Sequence, residues 1–368
     1  MTPDGGVSRL PPAPAMDTTL GKLRTLIHER RLPRRVTEPV RQWRERLFPE
    51  HHANLGVFSR KPLILYTNAP LGEGFAKVIR RRRVIILGRL NWRFEQPEAM
   101  DHLAGSDRAF RRLCPNARTI YCCNSQVERT FARERGLEAE WINHNTFIDE
   151  NLFTPDPTAV KRFDAIYDAQ LYHGKRHELA AEVRSLALIS FINNDSLTDD
   201  YRAVIERTMA HAYWFNNPLL PDWRKLTLSE IAAAYNQART GLALSAAEGA
   251  MRASLQYLLC GLPVVSTRAE GGRDTFFTED TALIVEDKAS AVAEGVRTLI
   301  ARELDPLYVR ERTLEVVREK RAAFCAFIDR LRREEGVEAP PYAEEFPERF
   351  HNLMIRWNSL NEVLKASS

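Results

Sequence analysis

The sequence has no uninterrupted apolar run near the ~18 residues that a membrane-spanning helix needs. Its opening residues include Asp4 and lack a compact apolar core before a cleavage site. Neither a spanning anchor nor a secretory leader is therefore expected. Cysteine is scarce: five in 368 residues, an odd number, at Cys114, Cys122, Cys123, Cys260 and Cys325, with no C-x-x-C spacing. This argues against a disulfide framework and a zinc site, and it predicts reduced thiols in a cytoplasmic protein. No Asp-x-Asp stands between apolar residues, so the acidic pair that commonly anchors a divalent ion is missing and no metal is expected. Charge of one sign is only slightly in excess: the formal net charge is +4 and the pI about 8.8. That is too little to argue for nucleic acid, but it suits a phosphate-bearing ligand.

What is present is an ordinary globular composition, 44% hydrophobic and 28% charged, on a chain long enough for two domains. Residues 1–16 are rich in Pro and Gly. An arginine-rich helical stretch follows (Arg24, Arg30, Arg31, Arg34, Arg35, Arg41, Arg44, Arg46), with Leu20, Leu23, Leu26 and Ile27 along one side. It reads first as a solvated helix on the first domain. The sharper reading is peripheral contact with an anionic membrane at the inner surface.

From Pro62 strands alternate with helices. Pro62–Tyr66, Arg83–Leu87, Thr119–Cys122 and Glu140–Ile142 read as strands, and Gln126–Arg135 as an amphipathic helix closed by Gly136. Asp149–Pro157 marks a junction, since two prolines in three residues stop regular structure. A second series then runs through strands at Phe163–Tyr167, Ala187–Ile192, Gly241–Leu244, Pro263–Ser266 and Ala282–Val285. Helices are expected at Lys175–Leu186, Ser229–Arg239 with Ser229 as N-cap, Arg252–Cys260 and Ala289–Arg302. The tail reads as helices Tyr308–Arg333 and Pro347–Leu364. Such alternation implies parallel sheets in two Rossmann-like α/β domains.

The densest chemical signal is the stretch from Leu244 to Thr267. An apolar strand ends at Leu244, a small-residue loop holds Glu248 and Gly249, and a helix begins. Free backbone N–H groups and the positive end of a helix dipole then meet at the carboxyl edge of a parallel sheet, a place suited to a phosphate. Gly249 lets a ligand approach the backbone closely. Glu248 is repelled by phosphate, so accepting hydrogen bonds from sugar hydroxyls suits it better. The blander role for Glu248 is a helix cap.

This stretch resembles the donor site of family 4 retaining glycosyltransferases, which have the GT-B fold. Glu248 matches the first acid of their E-x7-E mark, Gln256 stands at the second, and Cys260-Gly-Leu-Pro-Val-Val265 matches the strand start that follows. Glu270-Gly-Gly-Arg-Asp274 resembles the family's glycine-pair loop. Asn124-Ser125, Asn145-Thr-Phe-Ile-Asp149 through Pro155, and Ala169-Gln-Leu-Tyr-His-Gly-Lys175 resemble further family segments in the same order. The resemblance spans roughly residues 120–300.

The resemblance implies two domains facing across a cleft, with a C-terminal helix around Phe346–Leu364 crossing back to the first. Phe346, Phe350, Met354 and Trp357 recur at helical spacing for that packing. The implied boundaries are 1–155 for the acceptor domain with its basic arm, 156–335 for the nucleotide-sugar donor domain and 336–368 for the returning helical segment. It also implies a retaining, metal-independent glycosyltransferase acting on a UDP- or GDP-sugar and a hydroxyl acceptor. Lys175 and Glu248 are the implied catalytic pair, Lys175 gripping the diphosphate. Donor binding falls to Gln170, Gly249, Arg252, Ser254, Gln256, Gly271, Gly272 and Arg273. Gln170 replaces a family arginine and Gln256 a family glutamate, so Arg252 and Arg273 are the substitute cations, whereas Arg176 reads as a surface residue. On the acceptor side the candidates are Gly72, Gly74, Asn91, Trp92, with Arg93 and Glu95 beside them, and His102. The competing readings are an inactive GT-B nucleotide-binding module and a sugar-nucleotide epimerase on the same fold.

Overall fold

A computed structural model describes residues 51–91, 94–193, 197–353 and 356–366. The arginine-rich arm and Trp92, Arg93 and Met354 lie outside the described residues. In chain order the first lobe contains β1 (His52–Arg60), β2 (Leu63–Asn68), α1 (Glu73–Ile79), β3 (Val84–Arg89), α2 (Pro97–Leu113), β4 (Ala117–Cys123), α3 (Gln126–Glu134) and β5 (Ala139–Trp141). The second holds β6 (Phe163–Asp168), β7 (Leu186–Ile189), α4 (Asp199–Thr208), β8 (Tyr213–Asn216), α5 (Leu228–Tyr235), β9 (Ala238–Ala243), β10 (Ala247–Glu248), α6 (Arg252–Leu259), β11 (Val264–Thr267), β12 (Glu270–Gly271), β13 (Ala282–Val285) and α7 (Ala289–Ala301). The tail is α8 (Pro306–Glu334), α9 (Tyr342–Leu353), β14 (Arg356–Ser359) and α10 (Leu360–Ala366).

Among the described residues the strands form two six-stranded sheets and one short pair. The second sheet, ordered β13-β11-β9-β6-β7-β8, is parallel throughout. The first, ordered β14-β1-β2-β3-β4-β5, is parallel from β2 to β5, while β1 runs antiparallel to both its neighbours. This is the architecture of the GT-B glycosyltransferases. Strands buried on both faces explain the near-continuous apolar runs, such as Ile64–Tyr66 and Val84–Leu87. All five cysteines are free and buried, Cys122 and Cys123 inside β4.

The tail returns to the first lobe. The second half of α8 carries Phe324, Phe327, Ile328 and Leu331 into a core with Phe58, Tyr66, Ile85, Leu87 and Phe147, which Tyr342 and Phe346 of α9 complete. The Tyr342 hydroxyl donates to the Phe58 carbonyl at 2.8 Å. The crossing therefore begins earlier than Phe346, on α8 itself. The returning segment is also not wholly helical. Arg356–Ser359 forms an edge strand on β1, with His52 opposite Ser359 and Leu55 opposite Arg356, and Trp357 on it is exposed. Leu360 and Leu364 of α10 then pack on Leu65 and Phe75.

Three further expectations change. The predicted helix Lys175–Leu186 is replaced by two short 3-10 turns, because Arg176 between them takes a left-handed conformation with φ of 52°. The helix expected at Ser229 begins one residue earlier, capped by Thr227 in a reciprocal box with Glu230. Helices α2 and α4 and strands β1, β8 and β14 were not anticipated. Among the described residues no helix is long and apolar enough to cross a membrane.

Candidate active site

The carboxyl ends of β6, β9 and β11 converge, as parallel pairing requires, and the loops that leave them build the site. Lys175, in the turn after β6, forms an ion pair with Glu248 of β10, and both side chains are largely buried, 19% and 14% exposed. The Ser245 hydroxyl donates to the same Glu248 oxygen at 2.7 Å. Tyr167, buried in β6, donates to the Lys175 carbonyl at 2.5 Å and so fixes the turn that carries the lysine. Glu248 is therefore no helix cap: α6 starts at Arg252, with Met251 as an N-cap that makes no side-chain bond.

Glu248 owes its place to the glycine pair. Its two-residue strand pairs in parallel with β12, Glu248 opposite Gly271. Gly271 has φ of +101°, and a Cβ there would lie 1.7 Å from the Glu248 carbonyl. A Cβ on Gly272 would lie 2.2 Å from the Asn124 carbonyl of the other lobe. Both glycines thus answer to backbone packing. Their N–H groups are engaged as well: Gly271 donates to the Glu95 carboxylate at 2.8 Å and Gly272 to the Gly249 carbonyl at 2.8 Å. Both N–H groups therefore have partners within the protein.

Several other expected donor contacts also turn inward. Arg273 is 1% exposed, and its guanidinium donates to the Ser245 carbonyl at 2.6 Å, to the Thr267 carbonyl, and to Asp274 at 3.1 Å. It braces the loop and is not a free cation. Arg176, read as a surface residue, is a second brace: it donates to the Leu244 carbonyl at 2.6 Å and to Thr267 Oγ1 at 2.7 Å, and pairs with Asp287 at 2.6 Å. Ser254 is buried and donates back to the Met251 carbonyl at 2.9 Å. Arg252 reaches solvent at the start of α6. Gln170 is half-buried just after β6.

Gln256 lies 6% exposed in α6 and accepts from the Tyr235 hydroxyl at 3.3 Å. The same hydroxyl donates to Asp168 Oδ2 at 2.6 Å, and the Asp168 backbone N–H donates to the Tyr257 hydroxyl at 2.6 Å. Asp168 is the functional candidate that sequence reasoning missed. Its signal was an acid ending the apolar strand FDAIYD, where ligands of parallel sheets bind. Burial pushes its pKa up to about 6, against the Tyr235 bond and Lys175, which pull it down. A carboxyl whose pKa is raised towards neutrality at a strand end is a functional-site signature. Buried His177, behind Lys175, is pushed down to about 3 by burial and by Lys175, so it stays neutral.

The first lobe meets this centre through buried amides. Asn143 Nδ2 donates to Asn124 O at 3.1 Å, to Gly272 O at 2.8 Å and to Thr275 Oγ1 at 3.1 Å. Asn145 Nδ2 donates to Met251 O at 3.0 Å. Glu95 joins the lobes by accepting from Ser125 and from Gly271. Of the acceptor-side candidates, Gly72 caps α1 with open space around its Cα, and Gly74 sits in the first turn of that helix. Asn91 is half-buried after β3. His102 lies on the solvent face of α2, opposite buried Leu103 and Asp107, and its exposure gives it no part in this network.

Residues 219–302 match the family model described as glycosyl transferases group 1. No curated protein matches the sequence. Among solved structures, HepE of Anabaena, crystallised with UDP, aligns at 15% identity with a TM-score of 0.51 over 65% of this chain and 68% of its own. Sucrose-phosphate synthase of Thermosynechococcus elongatus aligns at 15% identity with a TM-score of 0.50 over 68% of this chain and 67% of its own. The chain thus has the GT-B fold, and a segment of its second lobe is similar to the glycosyl transferases group 1 model.

Proposed function

We propose, on the strength of that segment and the GT-B fold, that the protein is a retaining glycosyltransferase that moves a sugar from a nucleoside-diphosphate sugar, UDP- or GDP-linked, to a hydroxyl acceptor. The observation that carries the reading is the Lys175–Glu248–Ser245 cluster at the carboxyl edge of the second sheet. Departure of the nucleotide builds negative charge on the β-phosphate, and a preorganised lysine stabilises that charge most in the transition state. On this reading Lys175 exchanges its Glu248 partner for the diphosphate. Glu248, still oriented by Ser245, then accepts from sugar hydroxyls. The acceptor approaches on the same face and its proton passes to the leaving phosphate, so no separate base is needed. Gln256 and Asp168, linked through Tyr235, face the nucleotide.

The lysine does the work of a metal in this scheme, so turnover should persist in EDTA. The assignment of residues 1–155 to the acceptor side, 156–335 to the donor and 336–368 to the returning segment belongs to the same proposal. So does a cytoplasmic setting, which the five unpaired buried thiols support. Contact of the basic arm with an anionic membrane surface is a further part. The experiment is a thermal-shift panel of nucleotides and nucleotide sugars, followed by slow donor hydrolysis with and without EDTA. A panel in which no nucleotide raises the melting temperature overturns the reading. Manganese or magnesium restoring a lost activity overturns the lysine scheme.

A further inference from the structure

The cleft holds a second polar cluster, which the donor chemistry leaves unused. Arg89 ends β3, and the parallel register sets it beside Asn68, with Leu87 beside Tyr66. Alternate residues share a face, so Tyr66, Asn68 and Arg89 lie on one side of the first sheet. Arg89 Nε donates to Asn68 Oδ1 at 3.1 Å. Arg252 comes from the other lobe, and the carbonyl just before it accepts from Asn145 at 3.0 Å. His144, next to Asn145, feels the charge of both arginines, with the Leu90 and Ala250 carbonyls approaching its ring.

Neither arginine has a carboxylate partner among the described residues. Their repulsion is felt locally: Arg252 is pushed down, first by burial and then by Arg89. His144 is pushed down to about 3 by burial and then by both guanidiniums, so it offers a neutral ring. Three side-chain atoms of the cluster have no hydrogen-bond partner among the described residues: Tyr66 Oη, His144 Nδ1 and Asn145 Oδ1. Tyr66 and Asn145 are only 2% and 3% exposed. Buried polar groups are nearly always satisfied, and two like charges that repel without a carboxylate among the described residues favour an anion, so the arrangement calls for a ligand.

We propose that Arg89 and Arg252 clamp an anionic group, a phosphate or carboxylate, on a hydroxyl-bearing acceptor. Tyr66 donates to the anion, and Asn145 Oδ1 accepts from a neighbouring hydroxyl. Arg89 and Tyr66 come from the first lobe, whereas Arg252 comes from the second, as Lys175 does. Naming the ligand an acceptor rests on the transferase reading, whereas the anion site does not.

The test is thermal melting of the whole chain with inorganic phosphate, with UDP, and with both, in wild type, Arg89→Met, Arg252→Met and Arg252→Lys. Phosphate alone should raise the wild-type melting temperature. Without ligand, each Met variant should melt no lower than wild type, since one of two repelling charges is gone. Each should weaken phosphate binding by about tenfold or more, as expected on losing a charge-assisted partner. Arg252→Lys keeps the charge without the planar fork and should show a smaller loss, which keeps the test decisive if a Met variant fails to fold. A phosphate shift that adds to that of saturating UDP supports a separate acceptor site. A phosphate shift with no UDP shift supports the anion site while the transferase reading fails. The inference is overturned if phosphate does not stabilise wild type, if the variants respond like wild type, or if UDP abolishes the phosphate shift.

Discussion

Replacing Lys175 by alanine separates catalysis from structure in one experiment. The lysine is 19% exposed and its partner Glu248 14%, so the pair is neither a surface ion pair nor a fully buried one. Exposed pairs contribute about 0–1 kcal/mol, whereas breaking a buried pair costs about 3–5 kcal/mol. Lys175→Ala leaves Glu248 with the Ser245 hydroxyl, which still donates at 2.7 Å. A stability loss of about 1–3 kcal/mol is therefore expected by urea unfolding. Glu248→Gln added to Lys175→Ala should recover much of it, because the stranded charge is gone. Turnover should behave differently. Lys175→Ala should lose on the order of 10²-fold in kcat, the loss typical of a preorganised contact to developing charge, and the double variant should not regain it. Glu248→Ala should weaken discrimination among sugars while leaving nucleoside-diphosphate affinity nearly unchanged. Wild-type turnover in a folded Lys175→Ala protein refutes the assignment. Recovery of turnover together with stability in the double variant shows that the lysine acts only on the fold.

Three further outcomes follow from the geometry. The Asp168 carboxyl is raised to about 6 from its ordinary value of about 4, so its protonated form is favoured in the folded state; its contribution is complete below pH ~4 and fades as pH rises through about 6. Unfolding of Asp168→Asn across this range should lack that decline, and parallel pH profiles of variant and wild type would contradict the assigned burial. Phe324→Ala empties the core between α8 and the first sheet and should cost about 3–5 kcal/mol, read as one cooperative loss in calorimetry; an effect confined to one lobe would show that α8 does not join them. Gly271→Ala places a Cβ 1.7 Å from the Glu248 carbonyl at a left-handed φ, so it should destabilise by more than the ~1 kcal/mol of a tolerated glycine exchange and weaken donor binding. A donor affinity equal to wild type would mean that β10 does not depend on β12.

Much of the site was readable because its signals are local. Glu248, Gly249 and the helix from Arg252 follow one another in the chain; α6 and β11 sit within a residue of their predicted places, and β9 begins three residues before its predicted start. Helix Gln126–Glu134 also stood where periodicity put it, with Ser125 accepting from the Glu128 N–H and Gly136 at φ of 73° closing it. The turn at Lys175 was misread because its cause is remote. Arg176 is held left-handed by bonds to the Leu244 carbonyl and to Asp287, 68 and 111 positions away. Helix propensity over Lys175–Leu186 could not compete with those bonds.

By itself the sequence determined the α/β alternation, which is written as apolar periodicity. The pairing of Lys175 with Glu248, 73 positions apart, and the return of the tail to the first lobe were expectations from the family resemblance. Tertiary structure alone decided which arginines pair with an acid or a carbonyl. Arg273 and Arg176 became braces because backbone carbonyls accept from them, while Arg89 and Arg252, whose charges influence each other, have no carboxylate partner among the described residues. It also decided that Arg356–Ser359 would be a strand, since only β1, some three hundred residues earlier, supplies its partner groups. An unpaired β-edge four residues long carries no pattern of its own. A guanidinium likewise reads the same in sequence whether it will face a carbonyl, a carboxylate or another cation.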